Sequence, residues 1–147
     1  EGFGAVELPG RFEVVGVQPL VIVDGAHNPP GADSSVGVYF DDFRPEERRI
    51  LVVGTLRDAD EMISALRADD FDVVIACTAA TPRGVEAAVI GAAARRAGCV
   101  EVLVIDDPIA ACEEALRQAG ADDAILVAGS IYVVGAVRST LLRHSGR

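Results

Sequence analysis

Asp24 and His27 stand three residues apart in VIVDGAHNPPGA, Val21 to Ala32, where an apolar run ends in an acid, a glycine and a histidine. A carboxylate accepts hydrogen bonds, and an imidazole can exchange a proton near neutral pH. Far along the chain, Gly129-Ser130-Ile131-Tyr132 breaks a strand on glycine and opens a helix with a hydroxyl. Free N–H groups at such a helix start suit a carboxylate or a phosphate. A third polar stretch, GTLRDAD, runs from Gly54 to Asp60. Each residue also has a plain structural role. Asp24 can hold a turn, His27 can hydrogen-bond within it, Ser130 can cap its helix and Tyr132 can lie half-buried. Asn28 is a good N-cap and Pro29 fits the first helical position. Asp58 and Asp60 suit a helix start, and Arg83 is expected to be solvated.

The elements that must position these residues follow from periodicity. Arg11 to Val17 and Leu20 to Asp24 read as strands joined at Gln18-Pro19, an antiparallel pair. Pro29 to about Phe43 is a helix weakened by two glycines. RRILVVG is a buried strand, and DADEMISALRADD a helix with Met62, Ile63 and Leu66 on one face. DVVIACT and VEVLVID are strands, separated by a helix from Pro82 to Ala97. Asp107 caps a helix that stops at Gly120, DAILVAG is the last strand, and Ser130 to about Arg143 the last helix. Apolar strands alternating with helices indicate parallel strands buried on both faces. The expected fold is α/β: a Rossmann-like, doubly wound, mostly parallel sheet with an antiparallel lead-in strand. Ligands of such sheets gather at the carboxyl ends of the strands, where all three polar stretches fall.

Composition narrows the function. The 147 residues suffice for one domain, and a net charge of −10 disfavours nucleic acid and anionic membranes as partners. All 13 basic residues are arginine, which excludes any mechanism needing a lysine from this chain. Cys77, Cys99 and Cys112 lack metal-ligand spacing and are expected as buried thiols in a reducing, cytoplasmic setting. No zinc cluster, G-x-x-x-x-G-K-[ST] loop or G-x-G-x-x-G turn is present. The chain begins at Glu1 rather than Met, which suggests a piece of a longer protein.

In their order and spacing, LPGRFEVV, VIVDGAHNPPGA, GTLRDAD and AGSIYVVGAVR resemble the carboxyl-terminal domain of the folylpolyglutamate synthase/dihydrofolate synthase family, within the Mur ligase superfamily. DGAHNP is the most specific piece, and Gly25 favours the folate branch. The resemblance spans about Leu8 to Leu142. It implies an ATP-dependent ligase in which the carboxylate of dihydropteroate or a folate is phosphorylated and then attacked by the amine of L-glutamate. By that resemblance Arg11 would contact the ATP phosphates and Asp24 the ribose or nucleotide side. His27, Ser130 and Tyr132 would line the glutamate pocket, with His27 also helping to take up the proton of the amine. Residues 1–10 would be a linker from an upstream ATPase domain and 11–147 the glutamate-ligase domain. The upstream domain would supply the phosphate loop and the Mg2+ ligands, so this chain alone is expected to be inactive. Arg11→Ala and Asp24→Ala are expected to weaken ATP use with the fold intact. The alternatives are another amide ligase of the superfamily and a stand-alone, non-catalytic domain that binds a small acid.

Overall fold

The computed structural model describes residues 12–42 and 48–144. Arg11 and the expected linker over residues 1–10 lie outside them. The hairpin of β1 (Glu13–Val17) and β2 (Leu20–Asp24) is antiparallel as expected, turning at a cis Gln18-Pro19 peptide. There follow α1 (Pro29–Asp42), β3 (Arg49–Val53), α2 (Ala59–Ala65), β4 (Val73–Ala76) and α3 (Ala87–Arg96). The chain continues with β5 (Val102–Val104), α4 (Pro108–Gln118), β6 (Ala124–Ala128) and α5 (Ile131–His144). The strands form one sheet in the order β1-β2-β6-β3-β4-β5, parallel except for β1.

Alternation along each strand divides the core into two layers. Ile22, Leu51, Val53, Val74 and Leu126 face α1, α2 and α3, while Val21, Val23, Ile50, Val52, Ile75 and Val127 face α4 and α5. The apolar runs of the central strands therefore fill both faces, as a parallel sheet between helices requires. The bonded pair Glu13–Arg138, 2.8 and 2.7 Å, ties the lead-in hairpin to α5.

Three boundaries differ from the sequence reading, each for a tertiary reason. Met62, Ile63 and Leu66 are buried as expected. Yet α2 ends after Ala65, because Arg67 takes a left-handed conformation (φ 52°) and a 3₁₀ turn, Ala68–Asp70, feeds Phe71 into the core. Helix α3 begins at Ala87 rather than Pro82. Its first N–H groups include that of Ala87, which donates to the Thr78 hydroxyl (2.9 Å), while residues 79–85 form a turn packed on Ala79. Strand β5 has three residues and lies at the edge, so Val104 stays 39% exposed instead of buried on both faces. Conversely, α1 forms over 14 residues despite its prolines and glycines. Its buried stripe of Ala32, Val36 and Tyr39 supplies what propensity withholds.

Candidate functional site

The fold brings all three polar stretches to one edge. Strands β2, β6 and β3 are neighbours with Asp24, Ala128 and Val53 in register. From those ends α1 and α2 leave toward one face of the sheet, and α5 leaves toward the other. Adjacent strands whose connections diverge open a crevice at the carboxyl edge, the usual ligand position in such sheets. Two glycines let the ends approach. Gly129 has φ +112°, and a Cβ there would lie 2.2 Å from the Gly54 carbonyl oxygen. A Cβ on Gly54 would meet Val133 at 2.7 Å. This crossing sets where Ser130 and the start of α5 point.

Asp24 is buried at the end of β2. One carboxylate oxygen accepts the Ala26 N–H at 2.8 Å, and the other accepts a hydrogen bond from the Ser35 hydroxyl on α1. Asn28 caps α1 as expected, its side chain accepting the Gly31 N–H at 2.9 Å. The turn thus depends on Asp24 as well as on Asn28. Asp24→Ala would leave the Ala26 N–H unanswered and the Ser35 hydroxyl with the Gly31 carbonyl alone, at 3.1 Å, so this change should cost some stability beside its expected effect on ATP use. Asp24 remains at the boundary of a cleft of about 400 Å³ formed with Phe12, Ala26, Gly31 and Ser35. Phe12 holds the left-handed region there, φ 45°, a strained conformation for an aromatic residue and one found often beside ligand sites.

Ser130 is also buried, and its hydroxyl accepts the N–H groups of Tyr132 (3.0 Å) and Val133 (3.1 Å). It is the N-cap of α5, and its own proton stays available to donate. Ile131 and Tyr132 project from the same helix start, 55% and 40% exposed. His27 is exposed on the turn after β2. Asp24, His27, Ser130 and Tyr132 therefore stand at one edge on two adjacent strand ends, while Arg11 falls outside the described residues.

The residue that sequence reasoning missed is Ser35. Its signal was present: a hydroxyl standing in the apolar stripe of α1 beside Ala32, Val36 and Tyr39. The other polar residues of this edge pin loops. Thr55 accepts the Arg57 N–H (3.1 Å), Asp58 caps α2 through the Glu61 N–H (3.0 Å), and Asp60 pairs with Arg96. Cys77 and Cys112 are buried free thiols, and burial pushes Cys77 up to about 12 and Cys112 higher still; Cys99 is only half-buried. Such thiols are neutral and inert. Among the described residues no group of three or more His, Cys, Asp or Glu is placed to hold a metal ion, and no helix is long and apolar enough to cross a membrane.

Comparison with known proteins is consistent across sequence and structure. The family described as "Mur ligase, glutamate ligase domain" matches residues 10–131. A probable bifunctional folylpolyglutamate synthase/dihydropteroate synthase from Halobacterium salinarum is 37% identical over 142 residues, covering 97% of this chain and 17% of that protein. The ADP complex of Mycobacterium tuberculosis folylpolyglutamate synthase superposes with a TM-score of 0.82 at 28% identity, covering 99% of this chain and 34% of the other. A bifunctional folylpolyglutamate synthase/dihydrofolate synthase with Mn, AMPPNP and L-glutamate bound gives a TM-score of 0.79 at 29% identity, covering 93% and 32%. The chain thus spans between about a sixth and a third of these relatives.

Proposed function

The chain belongs to the Mur ligase family as a glutamate ligase domain, and from that premise we propose that it is the carboxyl-terminal domain of an ATP-dependent ligase joining L-glutamate to dihydropteroate or a folate. The observation that carries the reading is the full-length match of this chain to one part of folylpolyglutamate synthases, in sequence and in fold. In the proposed reaction the γ-phosphoryl group of ATP passes to the acceptor carboxylate and ADP departs. The glutamate nitrogen then attacks the acyl phosphate; an amide bond forms, inorganic phosphate leaves, and the amine gives up a proton.

In this proposal residues 11–147 form the domain and residues 1–10 lead in from an upstream ATPase domain, which supplies the Mg2+ ligands. Magnesium would neutralise charge on the triphosphate. The chain's own contribution is to hold the nucleotide and the incoming glutamate. Arg11, an always-charged fork suited to phosphate, and Asp24, which lines the cleft together with Phe12, are assigned to the nucleotide. The start of α5 receives a glutamate carboxylate through the Ser130 hydroxyl proton, with Tyr132 flanking it; the Tyr132 and Val133 N–H groups are taken by the Ser130 oxygen and fix its aim. His27, exposed on the neighbouring strand end, takes the proton from the amine. The setting is cytoplasmic, where ATP and reduced folates are available.

The test is ligation by the full-length protein with ATP, Mg2+, dihydropteroate and radiolabelled glutamate. Glutamate-dependent formation of ADP, phosphate and labelled pterin product is expected, and none from the 147-residue chain alone. His27→Ala should raise the glutamate KM while the ATP KM stays within about twofold. Asp24→Asn, which keeps an acceptor oxygen in the turn, should lower kcat/KM for ATP roughly ten- to a hundredfold, the size of a lost charge-assisted contact. A full-length protein that turns over ATP without consuming glutamate would end the proposal.

A further inference from the structure

The two outer strands of the sheet are finished differently. At one edge β1 is blunted: its register shifts between Val14 and Gly16, and the Glu13–Arg138 pair stands beside it. At the other edge β5 has neither device. The Glu101 carbonyl accepts the Val74 N–H, and the Ile105 N–H donates to the Ala76 carbonyl, both at 2.9 Å. Odd-numbered residues of this strand therefore turn their backbone groups toward β4. Val102 and Val104 turn theirs outward, where the sheet ends. Side chains alternate too, with Val102 on the α3 side and Leu103 and Ile105 on the α4 side. On the α3 side the edge is apolar: Val104 is 39% exposed, and Val100, just before the strand, is 85% exposed.

Helix α3 flanks this edge. A Cβ on Gly91 would lie 2.6 Å from Val104 and 3.9 Å from the Arg95 guanidinium, so Gly91 and Arg95 share the flank beside β5. Ala88, three residues before Gly91, falls on the same flank and is exposed. Arg96 turns the other way, to Asp60 on α2, whereas Arg95 has no side-chain partner among the described residues. Because α3 runs against the strands, Arg95 in its last turn stands at the amino-terminal end of β5. The exposed Asp106 stands at the carboxyl-terminal end, 3.4 Å from the Thr78 hydroxyl that caps the start of α3. One edge thus carries a free cation at one end and a carboxylate at the other.

We propose that this edge binds a second copy of the chain, β5 pairing with β5 antiparallel about a two-fold axis through Leu103, so that the sheet continues from one copy into the next. A two-fold contact requires a surface that complements itself, and this one does so in three ways. Val102 of each copy meets Val104 of the other, and their outward N–H and C=O groups bond directly on both sides of the axis. The reversal brings the amino-terminal end of one β5 beside the carboxyl-terminal end of the other, so Arg95 meets Asp106 of the second copy twice. Finally, α3 lies over β4 and β5. The two α3 helices then stand about two strand spacings apart, roughly 10 Å, which is the distance of packed helices. Only Ala88, Gly91 and Ala92 lie between them, and none is bulky. The contact leaves the strand ends of β2 and β6 open, and it does not depend on the ligase reading.

The test is sedimentation of the full-length protein over a wide concentration range, with hydrogen exchange read by mass spectrometry. A dimer is expected, and the Val102 and Val104 amides should exchange more slowly as it forms. Arg95→Glu and Asp106→Arg each set like charges across the axis twice, and each should raise the dissociation constant roughly a hundredfold. The double variant restores opposite charges in swapped order and should recover most of the affinity. Both positions are exposed, so the circular dichroism of each variant should match that of the parent. A protein that stays monomeric at the highest concentration overturns the inference, whether the edge is bare or covered by an upstream domain. So does a dimer that neither single variant weakens, or one whose β5 amides exchange at the monomer rate, because the contact then lies on another face.

Discussion

Asp24 and Asp123 are both buried aspartates, one at each end of the sheet, and their partners differ in kind. At the amino-terminal end, Asp123 accepts the backbone N–H groups of Arg48 (2.9 Å) and Gly120 (2.8 Å). Its own carbonyl receives the Leu20 N–H at 3.1 Å, so one residue closes three segments. Nearby, Tyr39 stacks on Phe71 with centroids 5.5 Å apart, and Arg49 lies 4.7 Å over the Phe40 ring. At the carboxyl-terminal end, Asp24 instead accepts a side-chain hydroxyl and the N–H of its own turn. Around it His27, Arg57, Arg83, Ile131 and Tyr132 remain exposed. One end spends its polar groups on closing the chain; the other uses them to hold side chains in reach of solvent. Loops on a rigid scaffold are where binding residues concentrate, and here only one set of loops is finished that way.

The sharpest way to break this contrast is at the strand crossing. Gly129→Ala adds a Cβ that meets the Gly54 carbonyl and imposes a side chain at φ +112°. The combined strain and overpacking should cost about 3–5 kcal/mol, measured by urea denaturation of the 147-residue chain. A variant as stable as the parent would mean that the two strand ends need not approach so closely.

Asp123→Ala comes next. It leaves two backbone N–H groups unanswered, at a cost of about 2–4 kcal/mol. In the full-length protein at a temperature where it stays folded, the KM values for glutamate and ATP should not change. A shift in either would show that the amino-terminal end is coupled to the site.

Ser130→Ala should show the smallest loss of stability, about 1 kcal/mol for a missing cap. At the same time it should raise the glutamate KM. A lower melting temperature with an unaltered KM would reduce Ser130 to a cap and erase the difference between the two ends at that position. The ordering matters: the residue least important for folding is expected to be the one most visible in substrate kinetics.

Much of this edge is legible in the residues. Asn28 and Pro29 announce the start of α1, Asp107 that of α4, and Gly129-Ser130 that of α5, because capping depends on a few adjacent atoms. The unbroken apolar runs within LVIVD, RILVV and AILVA are similarly local. Less legible were features that depend on a distant partner. The late start of α3 follows from Thr78, nine residues upstream, and the early end of α2 from the need to bury Phe71. The bond from Ser35 to Asp24 likewise exists only because α1 is laid against the end of β2.

The sequence by itself determined that this is an α/β chain, which strand ends carry polar residues, and which family it resembles. Periodicity and short motifs are properties of neighbouring residues, and they survive without knowledge of the whole. Only the tertiary structure decided that β6, the last strand, inserts between β2 and β3. Strand order is set by which apolar faces pair across the sheet and by helices that cross it, and those contacts join residues a hundred positions apart. That insertion places Ser130 beside Asp24 and puts Arg57 on its far side, so the composition of the site was written in the chain but its arrangement was not.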